Sequence, residues 1–137
     1  MMDPRETVTS LHDKLASMGA ALLVKTLKTP LHPVDQPASG VTVCHKLKRD
    51  DGLVDPTTMT AEEIDRKVRG LSPWPGVRLK TADVKVLETL LTPVKDSSEL
   101  LCAKGTVLHL VMVQTAGGRP MTGAEWSRGK RQTKQSM

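Results

Sequence analysis

The sequence predicts an α+β protein: an N-terminal helix and a linker, then a short helix and a small antiparallel sheet or partial barrel. Three observations carry that reading. Apolar residues recur at helical spacing over Thr9–Leu27 and again over Thr60–Leu71. From Val77 onward the period shortens towards two. Between the two helical stretches stand Pro30, Pro33 and Pro37, which fix φ and remove donors, so this segment reads as a linker.

Each element has its own signal. In the first helix Leu11, Leu15, Met18 and Leu22 lead into Val24–Leu27, with Thr9 or Ser10 placed to cap it and Gly19 in mid-pattern. Asp50-Asp51-Gly52 is a turn. In the second helix Thr60 and Glu63 have the spacing of a capping box, and Ile64, Val68 and Leu71 form one apolar stripe. Pro73-Trp74-Pro75-Gly76 stops it. Four strands follow, at Val77–Lys80, Val84–Leu90, Leu100–Cys102 and Val107–Gln114, the second alternating less cleanly than the first. A last short helix starts at Thr122, with Glu125 three residues on, and runs to about Arg128.

Composition narrows the function. The chain has 137 residues and two Trp, with no Phe and no Tyr, so its core is aliphatic. No apolar run approaches the ~18 residues of a membrane span, and the first residues lack a signal-peptide core. Cys44 and Cys102 make neither a disulfide framework nor a zinc ribbon and read as small buried residues. The expectation is a soluble, cytoplasmic protein with no membrane partner.

Twenty Lys and Arg stand against fifteen Asp and Glu, a net charge of +5. Residues 1–45 hold four basic and four acidic groups, so the excess belongs to the remainder. An asymmetric basic balance suits an acidic partner, and nucleic acid is the commonest. Catalytic signals are absent: the four histidines make no metal pair at helical spacing, and no phosphate loop or nucleophile elbow occurs. His109, between Leu108 and Leu110, reads as facing solvent or capping a polar contact. No catalytic, cofactor-binding or metal-binding residue is nominated.

The order of punctuating residues adds a resemblance. Ser10-Leu11-His12-Asp13-Lys14-Leu15, Asp51-Gly52-Leu53-Val54-Asp55, Arg69-Gly70-Leu71-Ser72-Pro73-Trp74-Pro75-Gly76 and Gln114-x-x-Gly117-x-x-x-Met121 occur in sequence. Over about residues 6–131 the chain resembles the C-terminal part of the methionyl-tRNA formyltransferase family. The family usually has Asp-Trp where this chain has Asp55-Pro56, and Gly-Lys-Lys where it has Gly117-Gly118-Arg119. The stretch Leu90–Leu101 is short and suggests a reduced barrel.

The resemblance implies a division of the chain. Residues 1–29 would be the terminal helix of a formyltransferase catalytic domain that is missing here, and 30–59 the interdomain linker. Residues 60–131 would be an OB-like antiparallel barrel, and 132–137 a disordered tail. The family formylates the methionyl group of initiator tRNA with 10-formyltetrahydrofolate, a co-substrate of the full-length enzyme. The implied partners are therefore initiator methionyl-tRNA and the missing N-terminal domain. This chain, expected to be monomeric, would bind tRNA without catalysing the reaction and would hold no cofactor.

Basic residues are the candidates for holding an RNA backbone: Lys46, Lys48, Arg49, Arg66, Lys67, Arg69, Arg78, Lys80 and Arg119. Trp74, between two prolines, reads as a packing wedge, so the expected contact is to backbone and shape, with little base readout. Without its catalytic domain, the first helix would expose Leu11, Leu15 and Leu22, which favours partial order or self-association at the N-terminus. Two alternatives stand beside this reading: the C-terminal domain of a sugar or amino-sugar formyltransferase, and a non-functional remnant.

Overall fold

The computed structural model describes residues 2–134. The chain divides into two units, Met1–Leu47 and Lys48–Met137. The first unit contains helix α1, Val8–Leu27, unbroken through Gly19. Its cap is Thr7 rather than Thr9 or Ser10. The Thr7 hydroxyl accepts from the Ser10 N–H at 3.2 Å, and the Ser10 hydroxyl accepts from the Thr7 N–H at 3.0 Å. No residue of α1 is buried.

The second unit carries the sheet. Its strands are β1 (Leu53–Val54), β2 (Val77–Leu79), β3 (Val84–Leu90), β4 (Ser98–Leu101), β5 (Val107–Thr115) and β6 (Pro120–Thr122). Helix α2 is Ala61–Leu71, and α3 is Gly123–Lys134. The strand order is β1-β2-β3-β5-β4, with β6 also paired to β5. Residues 48–59, read in the sequence as the end of a linker, fold with this unit, and Val54 is wholly buried.

Two features correct the expected antiparallel barrel. First, β1 runs parallel to β2. The chain leaves β1, passes through α2 and returns in the same direction, which is how parallel neighbours are joined. Second, the sheet is open: β1 stands at one edge, and β4 and β6 share the outer side of β5.

The core face follows from alternation. Val77 and Leu79 on β2, Val84 and Val86 on β3, and Val113 on β5 are buried with Ile64 and Val68 of α2. The register of β3 against β5 shifts between Val86 and Thr89. Such a bulge inserts a residue and moves the inward position by one. Inward positions on β3 are therefore Val84, Val86 and then Thr89, which explains the imperfect alternation there. His109 is buried at 4% exposure, against the solvent-facing expectation. Its strand is central at that point, with Leu90 of β3 on one side and Glu99 of β4 on the other.

Capping boxes set the helix starts in this unit. The Thr60 hydroxyl accepts from the Glu63 N–H, and the Glu63 carboxylate accepts from the Thr60 N–H at 2.8 Å. Thr122 and Glu125 repeat the arrangement at α3. Gly123 is required there, since a Cβ would lie 2.0 Å from the Leu110 carbonyl oxygen. Helix α3 extends to Lys134, past the expected end near Arg128; residues 135–137 of the anticipated tail lie outside the described residues. Trp126 packs against the core, and Cys102 is buried, whereas Cys44 is exposed. No described helix is long and apolar enough to cross a membrane.

Candidate nucleic-acid interface

The face of the sheet turned away from α2 carries two neighbouring cations. Alternation puts Arg78 of β2 between buried Val77 and Leu79, and Lys85 of β3 between buried Val84 and Val86. Register then aligns Leu53, Arg78, Lys85, Gln114 and Pro120 across five strands in one row. Lys85 was not among the residues nominated from the sequence. Its signal was present, as the polar member of an alternating strand, but only the pairing puts it beside Arg78.

A backbone crossing extends the row. Gly52 lies against the turn after α2, where a Cβ would meet the Gly76 carbonyl oxygen at 1.9 Å. Gly76 itself has φ +75, and its N–H donates to the Leu71 carbonyl at 2.9 Å. This contact brings the 3-10 turn Arg49–Gly52 beside Pro73–Gly76. Lys67 of α2 ties the same turn down by donating to the Asp51 carbonyl at 3.0 Å. A cavity of about 400 Å³ results, lined by residues that include Arg49, Asp50, Trp74, Arg78 and Lys85. A second cavity of about 240 Å³ continues from Arg78 and Lys85 to Gln114 and Gly117.

The nominated cations separate into committed and available groups. Arg69 is committed: its Nε donates to the Asp65 carboxylate at 3.0 Å, and only 19% of its side chain is exposed. Asp65 is buried in the core and also accepts from the Thr89 hydroxyl at 2.8 Å. Lys67 is partly committed through Asp51. Lys80 lies 3.4 Å from the Asp55 carboxylate. The Thr57 hydroxyl, bound to Asp55 at 2.6 Å, holds that carboxyl below its usual range, with the Thr57 N–H and Lys80 adding to the effect.

Arg78 faces Asp83 at 3.7 Å with both side chains exposed, a pair worth ~1 kcal/mol or less. Arg49 and Lys85 form no ion pair among the described residues. Arg66 is exposed, but α2 packs on the core face, so it is not part of the row. Lys48 and Arg119 are exposed, the latter on the turn closed by Gln114 donating to the Gly118 carbonyl at 2.9 Å. Lys46 is exposed and belongs to the first unit. The structure thus brings together Arg49, Arg78 and Lys85. Trp74 is 56% exposed and lines the same cavity, which corrects the packing-wedge reading.

Residues 46–131 match the family model described as formyl transferase, C-terminal domain. The chain belongs to this family. Among curated relatives of this C-terminal domain, the methionyl-tRNA formyltransferase of Paramagnetospirillum magneticum is 42% identical, over 94% of this chain and 47% of that protein. Those of Paracoccus denitrificans and Gluconobacter oxydans are 38% and 34% identical, over 90% and 91% of this chain. The chain spans about half the length of these relatives.

Proposed function

We propose that this chain is the tRNA-binding part of a methionyl-tRNA formyltransferase, and that its basic sheet face holds the backbone of initiator tRNA. The observation that carries the reading is the row formed by Arg78 and Lys85, with Arg49 beside it. Cations aligned across neighbouring strands suit successive phosphates and release counterions on binding. The name shared by the relatives, methionyl-tRNA formyltransferase, supports the tRNA enzyme over a sugar-modifying one. Lys48, Lys80 and Arg119 supply outer contacts, while Arg69 and Lys67 serve the fold.

Formyl transfer from 10-formyltetrahydrofolate would belong to the half of the relatives that this chain does not span. Helix α1 would be the last helix of that catalytic domain, which accounts for Leu15, Leu22 and Leu27 standing uncovered. The proposed setting is the cytoplasm, where initiator tRNA is found, with the chain acting as a monomer.

The test is a salt titration of binding to initiator tRNA, with an RNA duplex of equal length as control. About four phosphate contacts would weaken binding roughly 100-fold between 50 and 200 mM salt. Preference for the tRNA over the duplex is expected as well. No binding at low salt would remove the role from this chain.

A further inference from the structure

We propose that the cavity at Trp74 is a nucleotide subsite, in which the indole stacks one unpaired base and Arg78 and Lys85 take its phosphate. The inference rests on the RNA-binding reading above and deepens it. Among the described residues, Trp74 is the one large aromatic side chain with more than half its area in water, because Trp126 packs against the core. An indole left in water forgoes the burial that usually positions it.

The surroundings specify the ligand chemistry. Pro73 and Pro75 flank the ring and fix φ on both sides, so the platform is stiff. Leu53, 47% exposed, extends its apolar surface. Arg49, Arg78 and Lys85 supply positive charge on the same lining, and Asp50 supplies an acceptor for a base amine or a ribose hydroxyl. The end of the Lys85 side chain lies over Gly76, which lines the same cavity. A cavity of about 400 Å³ falls in the size range of small-ligand sites. A flat apolar face, flanking cations and a carboxylate acceptor together match a nucleotide better than a bare anion or an apolar peptide. Bases stack on exposed aromatics without regard to sequence.

The experiment compares two labelled RNAs, a hairpin with an unpaired loop and a blunt duplex of equal length, against the full chain. Trp74→Leu is expected to weaken hairpin binding about tenfold while duplex binding stays within twofold. Trp74→Phe should restore most of the hairpin affinity. Arg78→Ala should weaken both RNAs. Hairpin binding should also quench indole emission in the wild type more than in Trp74→Phe, which isolates Trp74 from Trp126. Thermal melts confirm that each variant folds, and the wild-type quench needs no variant to be stable.

If the wild type binds RNA but Trp74→Leu leaves the hairpin preference unchanged and no quench is seen, the subsite is overturned and tRNA-backbone binding stands. Equal loss for both RNAs in Trp74→Leu would likewise overturn the subsite, as would a Trp74 covered by a protein partner in the RNA-bound state. If the wild type binds neither RNA at low salt, both readings fall.

Discussion

Helices α1 and α2 obey the same pattern rule and end in opposite situations. α1 has 20 residues and buries none of them. α2 has 11 and buries Ala61, Ile64, Asp65 and Val68. Both begin with a capping box, so local chemistry does not separate them. The separation comes from what lies opposite. α2 closes over the inner face of β2, β3 and β5, whereas Leu15, Met18, Leu22 and Leu27 of α1 are all more than half exposed. An apolar stripe is therefore a request for a surface, and only α2 has one among the described residues.

The largest effect expected from breaking this contrast is at Ile64. Ile64→Ala should cost about 4 kcal/mol in urea unfolding, because the side chain is fully buried and leaves a cavity. Leu22→Ala in α1 should stay within about 0.5 kcal/mol, since its side chain is already in water. Comparable losses at both positions would refute the contrast.

Next comes Asp65→Ala, which removes a buried carboxylate that accepts from both Arg69 and Thr89. A loss of about 3 kcal/mol is expected, with Thr89→Val about 1 kcal/mol, and the two should be non-additive in a double-mutant cycle. Independent effects would mean that Asp65 does not couple α2 to β3. Thr60→Ala should cost about 1 kcal/mol through loss of the α2 cap.

The pH profile sharpens the same point. Bonds from the Thr60 N–H and then its hydroxyl hold the Glu63 carboxyl below the usual 4.5, and Thr122 does the same for Glu125. For such lowered groups the unfolded state binds the proton more readily. Their contribution is complete above about 4.5 and disappears as pH falls through the lower folded-state values. Melting temperature should therefore drop on the acid side of 4.5, and Glu63→Gln with Glu125→Gln should flatten that drop.

The sequence made the elements legible where the signal was local. Thr60 with Glu63, Thr122 with Glu125, and the alternation of Val77-Arg78-Leu79 each predicted what the structure contains. β1 escaped notice because two residues, Leu53 and Val54, are too few to display a period. β6 escaped because Pro120 is a poor strand former and is tolerated only at such an edge. Among the candidate cations, exposure could not be told from commitment. Arg69 and Arg78 look alike in sequence, yet one closes on buried Asp65 and the other faces water.

The sequence by itself determined the helices, the caps of α2 and α3, the longer strands and the basic excess after residue 45, because each depends on neighbours within a few positions. Only the tertiary structure decided that β1 runs parallel, that the sheet stays open and that His109 is buried. Only it placed Lys85 beside Arg78 and left Trp74 exposed on a cavity that Arg49 also lines. These are consequences of register and chain crossing, which bring together residues tens of positions apart, and no local period encodes them.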